Sequence, residues 1–208
     1  MIETLEFFIT GATLGLIAGI TPGPLLTMVI SETMKYNRKE GMKIALAPLF
    51  SDLPIVALSL LILAKMSDFG IVLGMISLAG AVFLLYMAYE TINIKPAEIS
   101  TENSSIHSFR KGILANILSP HAYLFWMLVG APITLKALKL NLLAAVLFVL
   151  GFYIFITGSK MLMAIISEKT KNIFSNTAYM YLMRFLGIVL IVFAIILIKD
   201  GFVFIGVI

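Results

Sequence analysis

Long apolar stretches divided by short charged punctuation run the whole length of this chain, and each is close to the roughly 20 residues that a helix needs to cross a bilayer core. Charge and glycine mark off six of them, near Leu5–Ile30, Ile44–Leu63, Ile71–Ile92, Gly112–Ala131, Leu142–Ile166 and Tyr179–Ile198. The pattern predicts an all-α integral membrane protein with six transmembrane helices. Every connection is short except Asn93–Arg110, a polar stretch that includes Thr101-Glu102-Asn103-Ser104-Ser105. It divides a single membrane domain, 1–208, into a first three-helix half at 1–94, a cytoplasmic linker at 95–110 and a second half at 111–208. An odd number of spans per half makes the second half enter the membrane from the opposite side, so the expected architecture is a pair of inverted three-helix repeats.

Two of the six stretches are interrupted by proline. In the first, Gly19-Ile20-Thr21-Pro22-Gly23-Pro24 places two prolines where a spanning helix should run unbroken. Proline has no backbone donor, so Pro22 and Pro24 leave the carbonyls of Ala18 and Ile20 without their i−4 partners. The fourth stretch repeats the motif as Ser119-Pro120, a hydroxyl residue before a proline in the first helix of its half. Helices one and four are therefore expected to be broken. Such breaks are tolerated in lipid only where the freed groups face protein or a water-filled cavity, and the ends they create point partial charges into it.

Composition agrees with a membrane protein: 61% of the residues are hydrophobic and 12% charged, and the mean hydropathy is +1.07. The absence of cysteine excludes disulfides, thiolate metal sites and thiol redox chemistry. The isoelectric point near 9.3 does not signal nucleic acid, because the basic residues are spread over short loops. Lys35, Arg38, Lys39, Lys43, Lys95, Arg110, Lys111, Lys169 and Lys171 fall on one side of the expected topology, and Lys65, Lys136, Lys139 and Lys199 on the other. The positive-inside rule then puts the first, third and fifth connections in the cytoplasm and both termini outside. Met1-Ile2-Glu3 lacks a positive n-region, so the first helix is expected to be retained.

Charged residues inside apolar spans are the candidate functional groups, since each is expensive there. Asp52 lies nine residues beyond Lys43, about 13 Å into the membrane at 1.5 Å per residue, between Pro48 and Pro54. It is the candidate for coupling or for binding a substrate amino group; the competing reading is a structural carboxylate tying two helices together. Lys160 falls at a similar depth and could either pair with Asp52 or snorkel to the interface. Pro120 and His121 lie near mid-depth too. His121 could relay protons or be a neutral, hydrogen-bonded histidine, and Asn116, one turn before Pro120, could face the cavity. Gly11, Gly15 and Gly19 form a small-residue stripe that could seat helix four or helix one of a second copy. Glu90 and Arg184 read as interfacial charges, and the twelve methionines as packing rather than metal ligands.

At Thr21-Pro22-Gly23-Pro24, the charged run Lys35 to Glu40, Gly41, and the acidic Asp52 in helix two, the chain resembles the LysE/RhtB family of amino-acid exporters over essentially its full length. In Ser119-Pro120-His121-Ala122-Tyr123-Leu124-Phe125-Trp126, serine stands where that family commonly has asparagine. The resemblance implies a secondary transporter in the plasma membrane of a prokaryote, exporting amino acids or similar small polar solutes, with no cofactor; coupling to the proton gradient is the expectation drawn from Asp52. The transporter's expected partners are the small-molecule substrate, protons, the lipid bilayer and, in a homodimer, a second copy of the chain. Motif and membrane depth together make the candidate site residues Thr21, Pro22, Gly23, Pro24, Asp52, Asn116, Ser119, Pro120, His121 and Lys160. A channel, or a carrier for another solute or ion, is the alternative. An enzyme is not expected, because no nucleophile with a base, carboxylate pair or metal triad stands at membrane depth.

Overall fold

A computed structural model of the chain describes residues 2–21, 23–65, 70–93, 108–117, 119–169 and 177–206, and these are almost wholly helical. The first apolar stretch forms α1 (Ile2–Ile20) and α2 (Pro24–Lys35); Thr21 and Gly23 lie between them, and Pro22 is outside the described residues. The second forms α3 (Arg38–Ala45) and α4 (Ala47–Lys65), and the third α5 (Gly70–Ile92). The fourth is the most irregular: α6 (Ser108–Ile117), α7 (Pro120–Phe125), a π-helical turn (Trp126–Gly130) and α8 (Ala131–Leu140). The long α9 (Leu142–Lys169) and α10 (Thr177–Ile205) complete the chain. Among the described residues five segments are long and apolar enough to cross a membrane: Ile2–Ile20, Arg38–Leu63, His121–Leu140, Leu142–Glu168 and Gly187–Ile205.

Two asparagines set the corners between spans. The Asn37 side chain accepts from the backbone N–H groups of Lys39 and Glu40 and starts α3, while Asn141 accepts from Ala144 N–H at 2.7 Å and starts α9. Each satisfies amide donors that a helix start would otherwise leave orphaned.

Glycines decide which helices touch. A Cβ on Gly11 would run into the backbone of Phe148, one on Gly15 into that of Phe152, and one on Gly19 into Ser159. The stripe therefore packs along α9, with both chains running the same way, and not against helix four or a second copy. The two candidates weighed from sequence were both wrong because an i, i+4 glycine ladder encodes close approach but not the identity of the partner. On the other side, Gly112 of α6 abuts Ile44 and Ala47, and Asn116 one turn on reaches Ser51 and Asp52, so α6 runs parallel to α3 and α4. The remaining pair is antiparallel: Gly74 of α5 meets Gly201 and Ile205 of α10, and Gly187 meets Ile92 and Ala88.

Inside this bundle Ile17, Leu26, Ile30, Leu84, Trp126 and Phe148 are almost entirely buried. Outside, Leu53, Leu58, Leu61, Ile188, Val192 and Ile195 are all more than half exposed. An apolar exterior around a core that holds the buried charges Asp52 and Lys160 is the pattern of a chain solvated by lipid.

Candidate functional site

Where α1 gives way to α2 and α6 to α7, a cavity of about 330 Å³ opens between the helices. Ala18, Thr21, Gly23, Leu25 and Leu26 line it from the first break, Asn116, Ser119, His121 and Ala122 from the second. Asp52 of α4 and Lys160 of α9 contribute its charges, and Phe125, Trp126, Phe152 and Ile156 its apolar wall. Its volume is at the small end of the range for small-molecule sites, roughly 300–1,000 Å³.

Asp52 is 3% exposed and is held by two donors. Asn116 Nδ2 donates to Asp52 Oδ1 at 2.5 Å and to Ser51 Oγ at 2.7 Å, and the Trp126 indole N–H donates to Oδ2 at 3.5 Å. The Ser51 hydroxyl donates back to the Ala47 carbonyl at 2.9 Å, which leaves its lone pairs for Asn116. The carboxylate is thus oriented by neutral groups, and one face of it remains toward the cavity.

Trp126, which reaches Asp52, is the first residue of the π-helical turn, an irregularity that recurs at functional sites. Gly130 completes the arrangement, since a Cβ there would overlap the Trp126 ring. The indole is then clamped by Tyr153, stacked at 5.9 Å between centroids and 24° between planes, and by the edge of Phe152 at 5.3 Å.

Lys160 does neither of the things weighed for it. It is 3% exposed and so does not snorkel, and it makes no direct ion pair with Asp52. Its ammonium donates instead to the backbone carbonyls of Ala18 at 3.1 Å and Gly19 at 3.5 Å. Ala18 is one of the two residues whose i−4 donor is replaced by proline, so the lysine supplies a hydrogen bond that the covalent structure of Pro22 withholds. The Asn116 carbonyl, orphaned in the same way by Pro120, accepts from Ser119 N–H at 3.1 Å.

The other sequence candidates divide as follows. Thr21 lines the cavity with its hydroxyl tied to the Ile17 carbonyl at 2.6 Å. Gly23 lines it in an extended conformation, Pro24 is the first residue of α2, and Pro120 the first of α7. Ser119 and His121 both line it, His121 being exposed with its ring 6.3 Å from that of Phe83. Arg184 is exposed over the Tyr181 ring; the side chain of Glu90 and all of His107 lie outside the described residues.

Sequence reasoning missed Phe152, Ile156 and the specific part played by Trp126, because apolar residues in an apolar span give no signal of which face they occupy. It also missed Glu32, which is 4% exposed and accepts from Ser108 Oγ at 3.0 Å and Lys111 Nζ at 3.4 Å, tying α2 to α6. A carboxylate two residues past the predicted end of the first span, Ile30, was the available clue. Together the cavity groups can present one fixed anion, one fixed cation and several hydroxyl and amide groups to a small polar molecule.

No curated protein and no solved structure shows a significant match to the chain. The sequence profile of the LysE type translocators does match, over residues 16–201, which takes in both helix interruptions, Asp52 and Lys160. On that match, the chain belongs to the LysE type translocator family, and it is a membrane transporter of small solutes.

Proposed function

We propose that the protein is a proton-coupled secondary exporter of amino acids or closely similar zwitterions, built as two inverted three-helix repeats around the cavity. The observation that carries this reading is that Asp52 and Lys160, two buried charges of opposite sign that do not touch, both line it. An α-amino acid carries one ammonium and one carboxylate, and the cavity offers one buried group of each complementary sign. The cargo's carboxylate binds beside Lys160 and the start of α2, where backbone N–H groups and the helix dipole favour an anion. Its ammonium is received by Asp52.

Packing supports the inverted repeat. The first helix of each half runs parallel to the second helix of the other, α1 with α9 and α6 with α3 and α4, while the third helices, α5 and α10, are antiparallel to each other. Under that two-fold relation Asp52 and Lys160 are counterparts. Each sits on the second helix of its half, and each reaches the last turn of the other half's first helix, at Asn116 or at Ala18 and Gly19. The two halves have kept the position and opposite charges.

Asp52 also serves as the coupling group. A proton and a substrate ammonium compete for the same carboxylate, so binding of one displaces the other, and proton entry drives cargo out with about 2.3 kcal/mol per charge per 100 mV in addition to any pH gradient. Export rather than import, and residence in a prokaryotic plasma membrane with both termini outside, follow from the family resemblance and the loop charges. The test is efflux of a panel of labelled amino acids from preloaded cells making the wild type or Asp52→Asn, with and without a protonophore. Efflux of at least one amino acid that is abolished both by the protonophore and by the substitution is expected. Efflux insensitive to both from well-expressed protein would overturn the coupling, and no efflux of any amino acid would overturn the cargo.

A further inference from the structure

Beyond the cavity, α9 continues a line of buried polar groups. Tyr153, Thr157, Lys160 and Ser167 lie on one stripe of the helix, with the apolar Ala164 between the last two, and of these Lys160 alone also lines the cavity. The stripe starts beside Asp52 and ends next to Glu168, whose carboxylate meets Arg38 at the Lys169 end of the helix. Ionisable groups inside a membrane protein mark pathways.

Two of these groups are unusual in a further way. The Tyr153 hydroxyl, which faces Asp52, and the Thr157 Oγ1 are buried with no partner within hydrogen-bond distance among the described residues, the residues being 8% and 7% exposed. A buried hydroxyl without a partner costs on the order of 1–3 kcal/mol. Threonines elsewhere in the bundle avoid this by turning the hydroxyl onto the carbonyl four residues back, as Thr10, Thr13, Thr21, Thr33 and Thr134 all do. Thr157 is turned away from its own backbone. The partner that fits two adjacent buried hydroxyls one helical turn apart is water, which bridges such groups in protein interiors.

We infer that Tyr153 and Thr157, bridged by water, form the route by which protons pass between Asp52 and the Lys169 end of α9, separate from the path of the substrate. The inference rests on the proton coupling proposed above. Each hydroxyl accepts a proton on its oxygen and releases its own to the next acceptor, so neither changes its net protonation. Asp52 ends as a carboxylate, and one proton is delivered to water at the Lys169 end.

The charges that face the route fit this role. Lys160 holds a fixed positive charge beside it, anchored on the α1 carbonyls, which favours departure of the proton from Asp52 and opposes passage of an excess proton when the carboxylate is occupied. His121 is the other titratable group in the cavity, on the far side formed by α7. At the Lys169 end the neighbouring elements bring the pairs Arg38–Glu168, Lys43–Glu40 and Lys111–Glu32, so a released proton meets a surface of balanced charge.

The test uses purified protein in liposomes, with an equimolar mixture of labelled common amino acids as the probe. Counterflow, the exchange of external label for internal unlabelled amino acid, requires no net proton movement; accumulation against a gradient under an imposed pH difference does. Tyr153→Phe keeps the ring on Trp126 and Thr157→Val keeps the shape of the side chain, so each variant removes only a hydroxyl. Both are expected to lower pH-driven accumulation at least tenfold, and Thr157→Val, which lies outside the cavity lining, should leave counterflow within about twofold of wild type. Wild-type accumulation in both variants would overturn the route, as would an equal loss of accumulation and counterflow in Thr157→Val, which is the signature of a merely structural role. A wild type that counterflows but ignores the pH difference would overturn the proton coupling itself and the route with it, and a wild type without counterflow would overturn the amino-acid cargo as well.

Discussion

At the scale of single residues the energetics centre on two charges that cancel without touching. Asp52 is satisfied by Asn116 and Trp126, and Lys160 by two carbonyls of α1, yet each remains a unit charge in a region of low dielectric, where a partner several ångströms away still matters. Lys160→Met removes the only charge opposing Asp52 in the cavity and also strips the Ala18 carbonyl of its donor. We expect a destabilisation of about 3 kcal/mol, in the range for breaking a buried ionic arrangement from one side. Combining it with Asp52→Asn should recover part of that loss, with a coupling energy between roughly 0.5 and 3 kcal/mol. Trp126 is the sole tryptophan, so its fluorescence follows unfolding in detergent without added labels. Additive single effects would mean that the two charges do not sense each other. Both residues stood out in the sequence because charge is conspicuous in an apolar span. Their contacts did not, since Lys160 binds backbone atoms some 140 positions away and a carbonyl looks the same at every residue.

Helix elements here are shaped by what glycine permits. Gly15 has the Phe152 backbone where a methyl group would go, and Gly130 has the Trp126 ring, whereas Gly158 on α9 has nothing within 4 Å. Three alanine substitutions of the same size should therefore diverge. Gly15→Ala forces α1 and α9 apart and should cost about 1–3 kcal/mol, the usual price of overpacking. Gly158→Ala should be neutral or stabilising by up to roughly 1 kcal/mol, from the gain in helix propensity. Gly130→Ala displaces the indole and so should lower transport more than it lowers melting temperature, which parallel transport and thermal-unfolding measurements would resolve. An equal fall in melting temperature for Gly15→Ala and Gly158→Ala would refute this account of the α1–α9 contact. The four-residue spacing of Gly11, Gly15 and Gly19 made a close helix contact legible in the sequence. The π-helical turn was not legible, because Trp126–Gly130 contains no proline or charge and its register is set by Trp126 packing against Tyr153 and Phe152 after the bundle has formed.

For the whole molecule the open question is which way round the bundle lies in the membrane, and the sequence speaks to it through loop charges alone. The apolar pattern made an all-helical membrane chain legible, and five of the described segments are long and apolar enough to cross. The mutual packing of the helices was not legible, because it depends on contacts between residues from 64 to 142 positions apart. Orientation decides what the α9 stripe does: with the Lys169 end in the cytoplasm the route delivers protons inward, and with the opposite orientation it would admit them. The chain has no cysteine, so one introduced thiol is a unique reporter. Tyr36, at the corner between α2 and α3, and Leu140, at the end of α8, are both exposed and uncharged, and replacing either leaves every lysine and arginine in place. A membrane-impermeant maleimide added to intact cells should label Leu140→Cys directly and Tyr36→Cys only after permeabilisation. The reverse pattern would invert the topology and make the stripe an entry path for protons. Labelling of both in intact cells would mean that copies insert both ways round, an outcome open to a protein built, as proposed above, from two inverted repeats. In that case an antiparallel pair, rather than one chain, would be the unit to which coupling must be assigned.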